Sequence, residues 1–519
     1  MTRSLIRGRP KRAKAHISAR LAQSVLGGVI AVLWLCLALP GAHHAPPGAG
    51  PGPLARDEGT STADLALPLI AGVAAVSAGT YGYVRRTRRT RSRTTPGAAL
   101  PATAAGPPAT APSRLLDAEA AAALVEADDC VRTSREELDF ATAGWDRATA
   151  EPFVKALRHA GTELAAAFAI RERYDDGLPE EETARRQALT GIAGRCGEAG
   201  RLLDAEAAGL DAARALETRL APALEVAEAR FRELTARVTP AEAALTDLAR
   251  VHSPGATAPV TGFVEQARDR LVFAALRLNE ARQRSDLGES ERAAARLRAA
   301  EGATAQAAVL LDAVDGHAAD LRTAESLLPA ALTGAESELT AARERTATDL
   351  PPGELRARVG HADTVLAVVR KNLTAGTAQD PLALLRGVVR AVVPAADGHS
   401  GVLPSAAELL ARNALAGADA YVSTHRAAVS ARPRTLLASA FRLLATDRPA
   451  CEEAARRARD LAERDVLSHG NPYPDPADHT AGVAGAVLGG LLLNHTPDAD
   501  PPASYGGPRT RARRTPPTP

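Results

Sequence analysis

The densest chemistry in the sequence is a run of guanidinium groups. Residues 85–93 read RRTRRTRSR and place Arg85, Arg86, Arg88, Arg89, Arg91 and Arg93 within nine positions. Side chains of this kind hold anionic oxygens, which here means lipid headgroups or nucleic-acid phosphates. The stretch 114–468 carries 45 basic and 54 acidic residues, so the bulk of the chain is acidic. No aromatic residues interleave with the arginines for base stacking, which argues against nucleic acid as a partner. Other constellations are sparse. His43 and His44 sit in a Pro/Gly-rich stretch. His361 and Asp363 are two apart, a spacing that points side chains away from each other on a helix. His425 reads as a surface residue or a capping contact. Cys130 adjoins Asp128 and Asp129, whose charges oppose thiolate formation. Cys196 and Cys451 read as small helix-packing residues. No HExxH, GxSxG or P-loop pattern occurs, so no catalytic residue, metal ligand or cofactor is expected.

The arginine cluster gains meaning from what precedes it. Residues 65–84 (LALPLIAGVAAVSAGTYGYV) are twenty positions without a charge, ending in Tyr81 and Tyr83. That length spans a bilayer, the tyrosines suit its interface, and the arginines supply a cytoplasmic stop. Upstream, residues 1–23 hold seven basic and no acidic side chains, followed by the apolar run 22–39. Residues 1–42 therefore read as a signal peptide or a first membrane segment, with 43–64 as a short extracellular stub. Cys36 follows Leu33-Trp34-Leu35, too bulky for a lipidation site. The expected location is the cell membrane, with one span, or two if the first segment is uncleaved, and the C-terminal bulk cytoplasmic. Residues 85–113 complete the stop and continue as a Pro/Ala/Thr linker.

From 114 to 468 the periodicity is helical. Leu216, Leu220, Leu224, Ala227, Phe231, Leu234 and Val238 form one stripe at steps of 4, 4, 3, 4, 3 and 4. The aromatic content of 3% and the abundance of Ala, Leu, Arg and Glu fit the same reading. Breaks are expected near 174–180, 252–259, 285–289, 349–353, 376–381 and 394–404. Thr239-Pro240-Ala241-Glu242 and Ser405-Ala406-Ala407-Glu408 look like capping boxes that start helices. LLDA recurs at 202 and 310, and Pro222 and Pro329 follow at nearly the same offset, the mark of a possible repeat of spectrin-like length. Asp128, Asp129, Arg132, Arg135, Glu136 and Glu137 form a lattice at helical spacing, the pattern of a solvated face or a docking patch. Trp145 reads as a core anchor near a turn. The fold class expected is all-α: membrane segment(s) followed by a long antiparallel helical bundle or coiled coil. The tail 469–519 loses periodicity and reads as low-complexity and disordered, although it includes an apolar run at 481–493.

Five segments carry a family resemblance: AGTYGYVRRTRRTRSRTTPG (78–97), LVEADDCVRTSREELDFATA (124–143), ADAYVSTHRAAVSARPRT (418–435), GAVLGGLLL (485–493) and SYGGPRTRARR (504–514). They resemble the TPM-domain-containing membrane proteins of high-GC Gram-positive bacteria. The resemblance implies a signal peptide, an extracellular TPM domain, a transmembrane helix and a cytoplasmic helical region. The interval 43–64 has only 22 residues, too few for that α/β domain. The phosphatase-like activity proposed for some TPM domains is therefore not carried over. The chain also departs from the long Gly-rich run in which the family tends to end.

The function these readings imply is a non-catalytic, membrane-anchored helical scaffold. Its partners would be the lipid bilayer, through the six arginines, and a protein partner or a second copy through the helices. A cell-envelope or division regulator, and a degenerate TPM-family protein acting with a separate enzymatic chain, are the alternatives.

Overall fold

In the computed structural model, residues 113–344, 352–375, 378–395, 401–469 and 504–514 are described, and all lie within one compact unit. The candidate membrane segments and the six arginines at 85–93 lie outside these residues. Among the described residues no strand occurs and no helix is long and apolar enough to cross a membrane.

The first three helices are α1 (Ser113–Thr142), α2 (Arg147–Asp175) and α3 (Glu182–Arg214). Their buried faces meet around Leu124, Leu164, Phe168, Ile192 and Leu203. The α1–α2 turn is fixed by Asp146, which accepts the Thr149 N–H at 2.8 Å as an N-cap. Trp145 is half-buried at this turn, its ring centroid 5.8 Å from that of Phe153, as a core anchor requires.

Next come α4 (Leu220–Val251), α5 (Phe263–Asp286) and α6 (Ser290–Glu344). At 55 residues, α6 is about 80 Å long and serves as the spine. Its first half packs with α4 and α5 around Leu297, Leu310 and Leu311. Its second half packs with α7 (Pro352–Thr374) and α8 (Pro381–Val392) around Leu321, Leu339, Leu366 and Leu385. Then α9 (Leu403–Thr424), α10 (Ala431–Leu443) and α11 (Arg448–Ser468) close a further core around Leu415, Val422, Leu437 and Cys451. These cores rest largely on alanine, which lets helices approach closely without aromatic bulk.

Two helix starts differ from the sequence reading. Pro240 lies inside α4. Leu234, Val238, Ala241 and Leu248 are buried on both sides of it, so packing holds the helix through a residue that interrupts its hydrogen bonding. In α9 the start lies before Ser405: the helix begins at Leu403, which is itself buried, and Pro404 occupies its first turn. The two LLDA copies occupy matching places, each beginning twenty positions past the first residue of its helix, Glu182 in α3 and Ser290 in α6. They diverge afterwards: α3 ends at Arg214 and Pro222 falls in the first turn of α4, whereas α6 runs unbroken through Pro329.

The tail also departs from expectation. Ser504–Gly507 are buried, and α12 (Pro508–Arg514) packs on α3 and α1. Composition could not reveal this docking, because the contacts are polar and steric and follow no helical period.

Ala215 ends α3 with φ 48, in the left-handed region that penalises a Cβ. Ala215→Gly should raise stability by about 1 kcal/mol, whereas Leu310→Ala, at a fully buried spine position, should lower it by about 3 kcal/mol. Denaturant titration followed by helical circular dichroism reads both.

Candidate functional site

Three of the five segments that carried the resemblance meet in space. These are 124–143 on α1, 418–435 across α9, its following turn and α10, and 504–514 in the tail. The meeting is made of charge. Arg132 on α1 donates to Asp128 one turn earlier and reaches Asp419 at 2.9 Å and Ser423 at 2.6 Å. Arg426 clasps Glu136 at 2.5 and 3.1 Å. Arg434, 1% exposed, donates to Asp128 at 2.6 Å, to Asp129 at 2.7 Å, and to the carbonyls of Arg426 and Val429. Burial opposes the Asp128 charge, but Arg132 and Arg434 outweigh it and hold its carboxyl below the ordinary range. The lattice on α1 is therefore not a solvated face. Asp128 and Glu137 are buried, and each has partners on other helices: Arg434 for Asp128, Arg214 and Arg298 for Glu137.

One turn further along α1, Glu137 is 1% exposed. It accepts from Arg214 at the end of α3 (2.7 Å), from Arg298 on α6 (3.1 Å) and from the Tyr505 N–H. Arg214 turns its other edge to buried Glu301, at 2.6 and 3.1 Å. Asp211 gathers Arg298 and Arg514. Burial would raise the Glu137 carboxyl, yet Arg298, Arg214 and Arg514 together bring it down to about 2. For Glu301, burial wins over the attraction of Arg214 and its carboxyl is raised.

Beside this junction, α1, α4, α6 and α9 enclose an open cleft of about 610 Å³. Its wall mixes Arg135, Arg230, Glu233 and Asp312 with Phe140 and Val309.

The remaining sequence candidates are scattered. His425 is the C-cap of α9, as a capping contact, but is buried rather than at the surface, stacked on Tyr421 with ring centroids 4.3 Å apart. Burial lowers its pKa to about 4. His361 is exposed, and Asp363 pairs with Arg343 instead. The Cys130 and Cys196 thiols are pushed up to about 11 and about 12, in both cases chiefly by burial. Among the described residues no group of His, Cys, Asp and Glu could hold a metal ion. His43, His44 and Cys36 lie outside them. Sequence reasoning missed the roles of Arg214, Arg434, Glu301, Asp204 and Tyr505. Only Tyr505-Gly506-Gly507-Pro508 offered a local signal, as glycines before a helix-starting proline.

The fold thus defines an all-α protein whose helical layers are pinned by a buried arginine–carboxylate junction. Two curated relatives from strains of Mycobacterium tuberculosis, UPF0603 protein MT2410 and UPF0603 protein Rv2345, are each 29% identical over 423 residues. Each match covers 74% of this chain and 62% of the relative, so the chain spans less than two thirds of the length of the curated relatives it matches. No family model matches, and no solved structure matches.

Glu137→Ala should cost about 3–5 kcal/mol, because it leaves buried Arg214 short of a partner. Two pH windows should separate. The lowered His425 pKa means that the unfolded state takes up a proton as pH falls from 6.5 to about 4, so stability declines there by about 3 kcal/mol. The lowered Glu137 pKa gives a contribution that is full above pH 4.5 and is lost as pH falls through about 2. Denaturation midpoints against pH should show His425→Gln flattening the first window, with His317, also lowered by burial, leaving a residual slope. Glu137→Gln should flatten the second.

Proposed function

We propose that the protein is a non-catalytic, membrane-anchored scaffold whose helical body, on the cytoplasmic side, docks a protein partner or a second copy. The anchor is the uncharged segment 65–84, with Arg85, Arg86, Arg88, Arg89, Arg91 and Arg93 holding anionic headgroups, each worth about 1 kcal/mol near the surface. The observation that carries the reading is the occurrence, in one sequence, of that segment and its arginines ahead of a body built on one 55-residue spine. An elongated spine with an open charged cleft offers surface for binding, and its buried charges are occupied in holding helices together. In finer terms, α6 serves two successive bundles, which is the helix sharing expected of spectrin-like layouts. No nucleic acid and no cofactor enter this reading.

A second reading has the chain as a TPM-family protein that works beside a separate enzymatic chain. It is supported by the 22-residue interval 43–64, which is too short for the extracellular domain the resemblance implies.

In a bacterial host the full chain should sediment with membranes and need detergent for release. A C-terminal reporter should be shielded from protease added to intact cells. Replacing all six arginines by glutamine should lower insertion or invert orientation. A reporter that stays cytoplasmic, with unchanged membrane yield, would remove the topological role of the arginines. A full chain soluble without detergent would remove the anchor altogether.

A further inference from the structure

The segment Ser504–Arg514 is held as a ligand is held. It is separated in sequence from α11 by residues 469–503, and it lies against α1, α2 and α3. Tyr505 is fully buried: its hydroxyl donates to the Phe153 carbonyl at 3.1 Å and its ring meets Phe153 edge-on at 6.2 Å. The backbone of the segment is read by side chains of the groove. The Tyr505 N–H goes to Glu137, the Gly506 N–H to Ser134 Oγ at 3.1 Å, and the Gly507 N–H to Asp204 at 2.9 Å. Asp204 also accepts from the Thr510 N–H at 3.0 Å and the Thr510 hydroxyl at 2.6 Å. Beyond this, Arg511 donates to the Asp129 carbonyl and Arg514 pairs with Asp211.

Sterics make the recognition selective. Gly506 has φ +138, a conformation that side chains rarely adopt. A Cβ on Gly507 would lie 2.2 Å from the Gly200 carbonyl oxygen, and a Cβ on Gly200 would lie 2.7 Å from Pro508 Cδ. Glycine is required on both sides of the contact. The groove supplies buried acceptors and the segment supplies donors and positive charge. Without the segment, Glu137 loses the Tyr505 N–H and the Arg514 charge.

We propose that this groove is a peptide-recognition site for a basic Ser-Tyr-Gly-Gly-Pro segment, and that residues 504–514 are its resident ligand, occupying it in cis and blocking it to others. The proposal concerns the described body alone and stands apart from membrane anchoring. Any competing partner must present the same chemistry: a tyrosine, two glycines, and arginines that follow. Tethering within one chain gives the resident segment the advantage of a high effective concentration.

The test uses a labelled peptide of residues 504–514, the full chain, and a chain ending at 503. Fluorescence anisotropy should show saturable binding to the shortened chain and little to the full one. A peptide carrying Gly507→Ala should bind at least tenfold more weakly, and Asp204→Asn in the shortened chain should weaken binding similarly. A folded shortened chain that ignores the peptide would overturn the proposal. So would equal binding of the Gly507→Ala peptide, which would reduce the contact to charge attraction. A full chain that dimerises and becomes monomeric on truncation would overturn occupancy in cis, the segment then reaching a second copy. If the shortened chain does not fold, amide exchange in the intact chain decides. Protection at Gly506, Gly507 and Thr510 that is lost in Gly507→Ala, with α5 and α6 unchanged, supports the site. Fast exchange at those amides in the unaltered chain rejects it.

Discussion

A carboxylate stripped of water must find positive charge, and Glu137 is where this protein meets that demand. It sits on α1 at 1% exposure and collects Arg214 from α3, Arg298 from α6 and the backbone of Tyr505 from the tail. Each donor belongs to a different element, so the position of α1 against the rest is fixed by what Glu137 requires. An unpaired ion there would be severely penalised, while the paired one adds little over an apolar side chain. The arrangement therefore penalises misplacement more than it adds to stability. The alanine-rich cores need that help, since small side chains slide past one another more readily than interlocked large ones.

A second layer of the same logic links α1 to α9 and α10. Arg132, Arg426 and Arg434 meet Asp128, Asp129, Glu136 and Asp419 across more than 280 positions of sequence. The two layers share α1: Asp128, Asp129 and Glu136 hold one, and Glu137, on the opposite side of the helix from Asp128, holds the other. One helix thus orders the first bundle, the spine, the C-terminal helices and the docked tail. The open cleft forms where these elements diverge, and its walls include Arg132, Glu136 and Asp419 from the junction itself.

Helical content and the breaks marked by glycine or proline were legible in the sequence because both depend on local chemistry. The breaks at 143–146, 215–219, 425–430 and 444–447 were not read, and the expected stripe from Leu216 crosses the second of them. Gly177 and Gly288 end turns where glycine was read as a break, and α3 and α6 begin where acidic residues precede an apolar stripe. Pro240 and Ser405 misled for one reason: a cap is a local preference, and burial of Val238 and Ala241 or of Leu403 outweighs it. The charged lattice on α1 was visible as a pattern, but its meaning was not. Asp128 and Arg132 satisfy helical spacing whether the face is wet or dry, and nothing nearby announces Arg434. His425 was read as a surface residue or a capping contact; it does cap α9, while its burial under Tyr421 depends on packing that no spacing encodes. The tail was read from composition, and four arginines among glycine and proline look like solvent-loving chain until an acidic groove is known.

The preference for arginine gains a physical use at this junction. Only four of the 63 basic residues are lysines, a bias that needs no structural cause across most of the surface. Inside the junction the guanidinium shape matters. Arg214 presents one edge to Glu301 through two nitrogens while also donating to Glu137. Arg434 spends Nε, Nη1 and Nη2 on two carboxylates and two carbonyls at once. An ammonium offers its three donors from a single point and cannot bridge groups set this far apart. A compositional habit thus supplied the cation able to join several helices through the carboxylates of α1, and Arg511 and Arg514 bring α12 into the same junction.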